Sequence, residues 1–408
     1  MTVTTNPTTG LDRRPAVAAP LRAAVAGVVF RRAMASCAVR VRYPDGRTTG
    51  TTGPILDVRR PDALLARVGA AGLIGFGEAY QAGDWDSDDL VGLLTVLAGS
   101  MGTLVRPWLQ WMRRFHGARE PRAERNTPDG SRRNIHRHYD LSNDLFALFL
   151  DESMSYSSAL FDRPGDDFTA AQHRKIDRLL DGTGAGPGSR VLEIGTGWGE
   201  LAIRAARRGA RVVSVTLSAE QRELALRRAA AAGVGDRVEV RLCDYREIEP
   251  APGGFDAIVS VEMVEAVGID YWPTFAATLS QHSAPDGRIG LQMITMAHDR
   301  MLATRNTYTW IHKYVFPGGL IPSVPAMTDV LGRAGLTVLD RLDFGLDYAE
   351  TLRRWRAAFT ERERSGAVAA LGFDATFART WNFYLAYCEA GFAARYLDVC
   401  QLIVRRSG

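Results

Sequence analysis

The stretch VLEIGTGWGE, residues 191–200, decides the fold of this chain. The apolar run from Val191 to Ile194 predicts a buried strand, and three glycines at positions 195, 197 and 199 follow it. Glycine has no Cβ, so the backbone can turn tightly there and approach a ligand closely. A helix predicted from about Glu200 would point its free N–H groups at the same crevice. The pattern indicates a strand–turn–helix that binds a ligand, and a plain strand–turn–helix is the alternative.

From about residue 135 to the C-terminus, the sequence alternates between strand-like and helix-like segments. The predicted strands are RVLEI (190–194), ARVVSVTL (210–217), RVEVRLCD (237–244), FDAIVSVE (255–262) and GRIGLQMIT (287–295). Two intervening helices are predicted, ELAIRAARRG (200–209) and SAEQRELALRRAAAAG (218–233). This alternation predicts an α/β fold, a parallel sheet with helices on both faces.

The glycine spacing and the strand ends narrow the class of ligand. The spacing is G-x-G-x-G, which differs from the G-x-G-x-x-G of dinucleotide-binding folds, and no G-K-[ST] follows it. Glu193 can accept a hydrogen bond from an ammonium group. The next two strand ends supply hydroxyls, an amide, a carboxylate and an aromatic ring, on Thr216, Ser218, Gln221, Asp244 and Tyr245. Such groups suit S-adenosylmethionine (SAM).

The chain is expected to have four parts. Residues 1–20, rich in Thr, Pro and Ala, are predicted to be disordered. Residues 21–116 predict a smaller mixed domain, in which Pro-Asp-Gly at 44–46 indicates a hairpin. The charged segment 117–134 is predicted to be a linker, and 135–408 the catalytic domain.

Composition argues for a protein of the reducing cytoplasm. The net charge is +4, and the four cysteines show neither a CxxC pair nor zinc-ligand spacing. The N-terminus lacks the layout of a signal peptide, and the apolar run 21–30 is too short to span a bilayer. The histidines do not cluster, so we expect no metal, and we expect no nucleic-acid partner.

Seven motifs carry a resemblance to a known family. They are HYDLSNDLFALFLDESMSYSSALF (138–161), LEIGTGWGELA (192–202), VTLSAEQ (215–221), VEMVEAVG (261–268), KYVFPGGLIPS (313–323), FGLDYAETLRRW (344–355) and YLAYCEAGFAAR (384–395). With them the chain resembles the cyclopropane-fatty-acid synthase family of SAM-dependent enzymes, which act on double bonds in phospholipid acyl chains. The resemblance is strong over about 130–408. Residues 72–86 also resemble the glycine-rich stretch of full-length, phospholipid-acting members.

The resemblance implies a Rossmann-like SAM-dependent methyltransferase domain beside the smaller N-terminal domain. It also implies a set of residues that contact SAM: Tyr156, Ser157, Gly195, Gly197, Gly199, Thr216, Leu217, Ser218, Gln221, Asp244 and Tyr245. The turn itself adds Glu193 and Trp198.

In cyclopropane synthases a bicarbonate ion serves as the base. By resemblance its ligands fall here on Ser158, Glu265, Gln292, Ile294 and Tyr348. Ser158 stands where cysteine is usual, and Gln292 where histidine is usual. The base therefore stays open between bicarbonate and a carboxylate of the chain, from Glu152, Glu262 or Glu265.

Each candidate also has an ordinary structural explanation. Glu262 and Glu265, three residues apart, share a helix face, and one of them can simply brace the helix. Tyr348 can be a core tyrosine. Cys388 falls on a cysteine often marked as active in the family, but its apolar, aromatic helix also suits a packing cysteine.

The product depends on how the carbocation formed by methyl transfer reacts. Methyl transfer to an alkene leaves a carbocation, which aromatic faces stabilise until a base removes a proton. Ring closure gives a cyclopropane, whereas a hydride shift before proton loss gives a methylene branch. We expect a 10-methylene-type product, with a cyclopropane as the alternative. The Ser158 and Gln292 departures motivate a third hypothesis, an inactive protein that binds SAM and lipid, and a small-molecule methyltransferase is a fourth.

The acyl substrate lies in a bilayer, so we expect peripheral association with the inner face of the membrane. Within 105–116, apolar side chains at Trp108, Trp111, Met112 and Phe115 recur at helical spacing among arginines, which suits an interfacial helix. A core-packing helix is the alternative. The expected partners are unsaturated phospholipid acyl chains, a second copy of the chain in a homodimer, and a downstream reductase.

Overall fold

The computed structural model describes residues 20–100 and 142–407, and it divides into two compact units. Of the described residues, the first unit contains 20–100, 306–315 and 352–396, and the second contains 142–305, 316–351 and 397–407. This division differs from the expected one, because two segments of the C-terminal half belong to the N-terminal unit. The expected linker, the interfacial segment 105–116 and residues 1–19 of the expected disordered terminus lie outside the described residues.

The described strands run in chain order as β1 (Arg40–Arg42), β2 (Thr48–Thr49), β3 (Ile55–Val58), β4 (Trp85–Asp86), β5 (Arg190–Ile194), β6 (Arg211–Thr216), β7 (Val238–Leu242), β8 (Phe255–Val261), β9 (Ser283–Met296), β10 (Leu336–Asp343) and β11 (Leu397–Arg406). The helices of the first half are α1 (Pro20–Ala35), α2 (Pro61–Ala71), α3 (Leu73–Gln81), α4 (Leu90–Gly99), α5 (Asn143–Ala147), α6 (Phe168–Thr183), α7 (Glu200–Arg207) and α8 (Ala219–Ala231). Those that follow are α9 (Val264–Val267), α10 (Trp272–His282), α11 (His298–Thr304), α12 (Trp310–Tyr314), α13 (Val324–Arg333), α14 (Gly345–Arg364), α15 (Ala367–Ala370) and α16 (Ala375–Ala393). All five strands predicted beyond residue 135 are confirmed, as are both helices between them.

In the second unit, the described strands form a sheet in the order β10-β11-β9-β8-β5-β6-β7. The five strands from β5 to β9 are parallel to one another, as predicted, whereas β11 runs antiparallel to both β9 and β10. The chain leaves β5 toward β6 on one side, and β8 lies on the other side. In such a sheet the crevice at the carboxyl ends of the strands, where the order reverses, is the usual ligand site.

Alternation along β5 divides the core of this unit between the two faces of the sheet. Val191 faces a cluster built with α6, α7 and α8, and Leu192 faces a second cluster built with α10 and α13. Side chains that follow each other on a strand point to opposite faces. Both faces are therefore covered by apolar residues, and the polar residues of the strand ends are left to form the crevice.

In the first unit, an aromatic cluster joins segments that are distant in sequence. The ring of Phe383 on α16 lies 5.0 Å from Tyr80, 6.3 Å from Trp85 and 4.8 Å from Trp310. Burying these large rings together explains why 306–315 and 352–396 pack with the N-terminal residues. The predicted hairpin is also confirmed, since β1 pairs antiparallel with β2 and the Gly46 N–H donates to the Tyr43 carbonyl.

Among the helices of residues 20–100 and 142–407, none combines the length and the apolar character needed to cross a bilayer.

Candidate active site

The glycine turn has the backbone that its sequence predicted. Gly195, Gly197 and Gly199 have φ values of 98°, 51° and 90°, a region that L side chains rarely adopt. A Cβ on Gly195 would lie 2.6 Å from Cγ of Met263, and one on Gly199 would lie 2.9 Å from Cβ of Ala225. A Cβ on Gly197 would meet no atom within 4 Å. The outer two glycines are thus required by packing, whereas Gly197 borders open space that a ligand can enter.

That open space is a cavity at the carboxyl ends of β5, β6 and β8. Ten of the residues predicted to contact SAM line it: Tyr156, Ser157, Glu193, Gly195, Gly197, Trp198, Thr216, Leu217, Gln221 and Tyr245. Further residues that were not predicted from the sequence also line the cavity, among them Met154, Ser155, Lys175, Thr196, Glu200, Cys243 and Met263. Several of these directly adjoin predicted positions in the sequence, and that proximity was a usable signal.

The three remaining predicted SAM residues do not line the cavity but hold its wall in place. Gly199 is the N-cap of α7. The Ser218 hydroxyl caps α8 by accepting from the Gln221 N–H at 3.2 Å. Asp244 is buried and forms a 2.6 Å ion pair with Arg246.

Glu193 places a carboxyl group in the cavity with one polar neighbour to orient it. The Ser214 hydroxyl donates to Oε2 of Glu193 at 2.5 Å, and Ser214 in turn lies 2.6 Å from the Thr196 hydroxyl. Burial raises the pKa of Glu193 to about 8. A cationic ligand in the cavity would favour the ionised carboxylate, so this site is suited to a positively charged group.

Aromatic contacts and one arginine connect the glycine turn to residues 153–157. The Trp198 indole N–H donates to Asn143 at 2.7 Å, and its ring lies 4.9 Å from that of Phe146. Phe146 also contacts Tyr156, at 5.0 Å between centroids. Arg228 donates to the Trp198 carbonyl at 2.8 Å and to the Ser153 carbonyl at 3.0 Å. The turn and segment 153–157 therefore form one connected wall.

A second cluster centres on Glu262, which follows β8 and also lines the cavity. Its Oε1 accepts hydrogen bonds from the Ser158 N–H at 2.9 Å and from Nε2 of Gln292 at 2.9 Å. Its Oε2 accepts a 2.6 Å hydrogen bond from the Tyr348 hydroxyl. Sheet register explains part of this arrangement, because the Glu262 N–H continues the β8–β9 pairing by donating to the Gln292 carbonyl.

Lys175 lies beside the same cluster, fully buried. Its Nζ donates to the Ser157 hydroxyl at 2.6 Å, and burial lowers its pKa to about 8. Burial raises the pKa of Glu262, while the Tyr348 hydrogen bond and the charge of Lys175 oppose that rise. Lys175 is one of only two lysines in the chain, a signal that the sequence argument did not use.

Glu265 lies close to Glu262 but makes different contacts. The Ile294 N–H donates to Oε1 of Glu265, and among the described residues its buried Oε2 has no hydrogen-bond partner. Burial, together with the negative charge of Glu262, raises the pKa of Glu265 to about 8. Of the five expected bicarbonate ligands, Ser158, Gln292 and Tyr348 thus bond to Glu262, whereas Ile294 bonds to the fifth, Glu265.

Two predicted catalytic residues make no contact with this cluster within the unit that contains it. Glu152 is exposed and does not line the cavity. Cys388 lies on α16, in the other compact unit, where burial raises its thiol pKa to about 12. Such a thiol carries almost no thiolate near neutral pH, which fits the packing alternative.

Comparison with known proteins shows which family the chain resembles. A family model described as mycolic acid cyclopropane synthetase matches residues 126–402. The chain is 52% identical to the tuberculostearic acid methyltransferase UfaA1 of Mycobacterium tuberculosis, over 97% of this chain and 96% of the relative. It is 33% identical to the cyclopropane-fatty-acyl-phospholipid synthase of Escherichia coli, over 88% of this chain and 89% of that one.

The fold is also similar to that of a solved structure. The mycolic acid cyclopropane synthase CmaA1, complexed with SAH and CTAB, has 29% sequence identity and a TM-score of 0.62. The match covers 70% of this chain and 99% of CmaA1.

Proposed function

This chain belongs to the mycolic acid cyclopropane synthetase family, and on that basis we propose its reaction. It is a SAM-dependent methyltransferase that acts on the double bond of an unsaturated fatty acyl chain and forms a methylene-branched product. The observation that carries the proposal is the cavity behind the glycine turn, lined by polar strand ends and by a carboxyl cluster. A cyclopropane is the alternative product.

The residues of the cavity fit SAM. The open face of Gly197 admits a ligand against the backbone, and the Glu193 carboxylate suits the ammonium group of the amino-acid moiety. When bound, SAM supplies an electrophilic methyl group, and its transfer to an alkene leaves a carbocation on the acyl chain. Tyr156 and Trp198 line the cavity, and aromatic rings can stabilise positive charge.

The names of the relatives favour a methylene product. The relative at 52% identity is named a methyltransferase, whereas the one at 33% identity is named a cyclopropane synthase. Ser158 and Gln292 also depart from the residues that the resemblance associates with cyclopropane synthases. A methylene branch would still need two hydrogens to become a methyl branch, so a reductase is the partner that this chemistry requires downstream.

The test incubates the purified protein with methyl-labelled SAM and vesicles of an unsaturated phospholipid. We expect label in the acyl chains, and proton NMR of the product should show vinylidene protons. Ring protons in their place would assign the cyclopropane. Binding of SAM without label in lipid would contradict the proposal and favour an inactive binding protein.

We further propose that the enzyme reaches phospholipid acyl chains by peripheral association with the membrane. On α1, Leu21, Val25, Val28 and Val29 are exposed at spacings that place them along one side of the helix. Arg22, Arg31 and Arg32 flank them. An apolar stripe bordered by arginines suits the surface of an anionic bilayer.

A further inference from the structure

We infer that Glu262 is the base that removes the proton in this reaction, and that it takes the place of bicarbonate. The inference rests on the proposed function, and it identifies which group of the chain completes that chemistry.

The bicarbonate ligands implied by resemblance are already used within the chain. The Ser158 N–H, the Gln292 amide and the Tyr348 hydroxyl all donate to the carboxylate of Glu262. The Ile294 N–H donates to Glu265. A bicarbonate ion would have to compete for these donors and would also meet the negative charge of Glu262. The site therefore does not fit a separate anion, because a carboxylate of the chain occupies the centre of its donor set.

The side chain at position 292 suits this arrangement. The Gln401 amide donates to Oε1 of Gln292 at 2.9 Å, which leaves Nε2 of Gln292 directed at Glu262. The same Gln401 amide donates to the Lys175 carbonyl at 2.9 Å. A neutral amide can only donate from its nitrogen, whereas a histidine can carry a positive charge. A free bicarbonate ion needs a positive charge to bind it. A carboxylate that belongs to the chain is already present and needs only hydrogen bonds that hold it in position.

The backbone of Glu262 indicates that its position is imposed by its surroundings. Its φ is 51°, in a region that is uncommon for a residue other than glycine. Such a conformation is unfavourable for a residue with a Cβ, and it persists where the surrounding structure holds it. Three side-chain hydrogen bonds and the strand-end N–H hold Glu262 against the cavity.

Proton removal by Glu262 balances the reaction. The transferred methyl group takes the π electron pair of the alkene, and the departing sulfur keeps the pair of the old bond. A hydride shift then moves the positive charge to the carbon that carries the methyl group. An oxygen of Glu262 accepts a proton from that methyl group, and the C–H pair becomes the new double bond. The product is a methylene branch, and the Glu262 carboxyl later releases its proton to solvent.

The decisive experiment compares Glu262→Gln with the parent enzyme in bicarbonate-free buffer. Glutamine keeps the size and one acceptor oxygen but cannot take the proton. We expect parent turnover to be independent of added bicarbonate, and Glu262→Gln to lose about 10²–10⁴-fold in turnover, as loss of a positioned base typically does. SAM affinity measured by calorimetry should change less than threefold. Glu223→Gln, which removes an exposed carboxylate paired with Arg227, should match the parent.

Two further variants separate proton transfer from a structural role. Glu262→Asp should restore part of the turnover and the loss of rate in acid, which Glu262→Gln should lack. Glu262→Gly suits the positive φ and opens space, so sodium formate or sodium bicarbonate should restore turnover to it. Parental turnover in Glu262→Gln, or a parent enzyme that stops without bicarbonate, would overturn the inference. A loss seen with Glu265→Gln but not with Glu262→Gln would assign the base to Glu265.

The proposed function is measured separately, by label from SAM in the lipid formed by the parent enzyme. A labelled product together with an active Glu262→Gln variant would leave the function intact and remove Glu262 as the base. A parent enzyme that labels no lipid under any condition would overturn both.

Discussion

The Tyr348 hydroxyl donates a 2.6 Å hydrogen bond to Glu262, 86 positions away in the sequence. Tyr348 lies in the first turns of α14, and Glu262 follows the end of β8. A hydrogen bond to a charged group contributes about 1.5–3 kcal/mol, and it stabilises the ionised carboxylate over the neutral acid. This contact therefore couples the position of Glu262 to its protonation.

Replacing Tyr348 with Phe should shift the pH dependence of turnover. In the parent, the hydrogen bond from Tyr348 lowers the pKa of Glu262. The variant lacks this hydrogen bond, and the pKa of Glu262 should therefore rise. Because the ionised form is the active one, the fall in rate on acidification should begin at a higher pH. Lys175 and Glu265 also face Glu262 and are unchanged in the variant. The measurement is turnover against pH at saturating SAM, and an unchanged acid limb would argue against coupling through this hydroxyl.

Gly197→Val should abolish SAM binding, because the branched side chain would enter the open space beside the turn. Gly233→Val provides a matched control. Gly233 also has a positive φ, 72°, and no atom near its would-be Cβ, but it does not line the cavity. Calorimetry should show loss of SAM affinity for the first variant and near-parental affinity for the second. Similar losses in both would point to backbone strain alone.

Lys175→Met should lower turnover about tenfold. Removing the buried positive charge should raise the pKa of Glu262, and a rise of about one pKa unit corresponds to about 1.4 kcal/mol, a factor of ten. The acid limb of the rate profile should move to higher pH, as for Tyr348→Phe. Retention of the parental profile would mean that Lys175 only positions Ser157.

The same variant should also change how stability depends on pH. Lys175 has a folded-state pKa of about 8, below its ordinary value of 10.5. Between these values the unfolded chain binds more protons at this residue, so the parent gains stability as pH rises. Denaturant unfolding at pH 8 and pH 10 should show this gain in the parent relative to Lys175→Met. Parallel pH dependence in the two proteins would contradict the lowered pKa.

Replacing Val25 and Val29 together with Ser should weaken sedimentation with anionic phospholipid vesicles. Each change removes exposed apolar surface from the stripe on α1, at about 25 cal/mol per Å² of buried area. Turnover on detergent-dispersed substrate should stay at the parental level. Leu242→Ser, which removes an exposed apolar side chain in the other unit, is the control. Equal sedimentation of all three proteins would place the membrane contact elsewhere. The next residues to replace would then be Arg113 and Arg114, which belong to the predicted interfacial segment 105–116.

Features that depend on neighbouring residues could be predicted from the sequence. The strand predicted at 210–217 is β6 at Arg211–Thr216, and the turn after Ile194 has three glycines with positive φ, as its spacing required. Apolar periodicity and the absence of a Cβ act within a few residues of the chain, so their consequences can be read locally.

Features that depend on distant segments were decided only by the tertiary structure. Three donors from separate segments, Ser158, Gln292 and Tyr348, converge on the carboxylate of Glu262. Their convergence needs the β8–β9 register and the packing of α14. The antiparallel direction of β11 and the assignment of 352–396 to the N-terminal unit likewise follow from packing between segments far apart in sequence. The sequence by itself determined the fold class and the ligand turn, because local patterns specify them. Which carboxyl group faces the cavity was decided by long-range packing, because no local pattern distinguishes Glu262 from Glu265, three residues further along the chain.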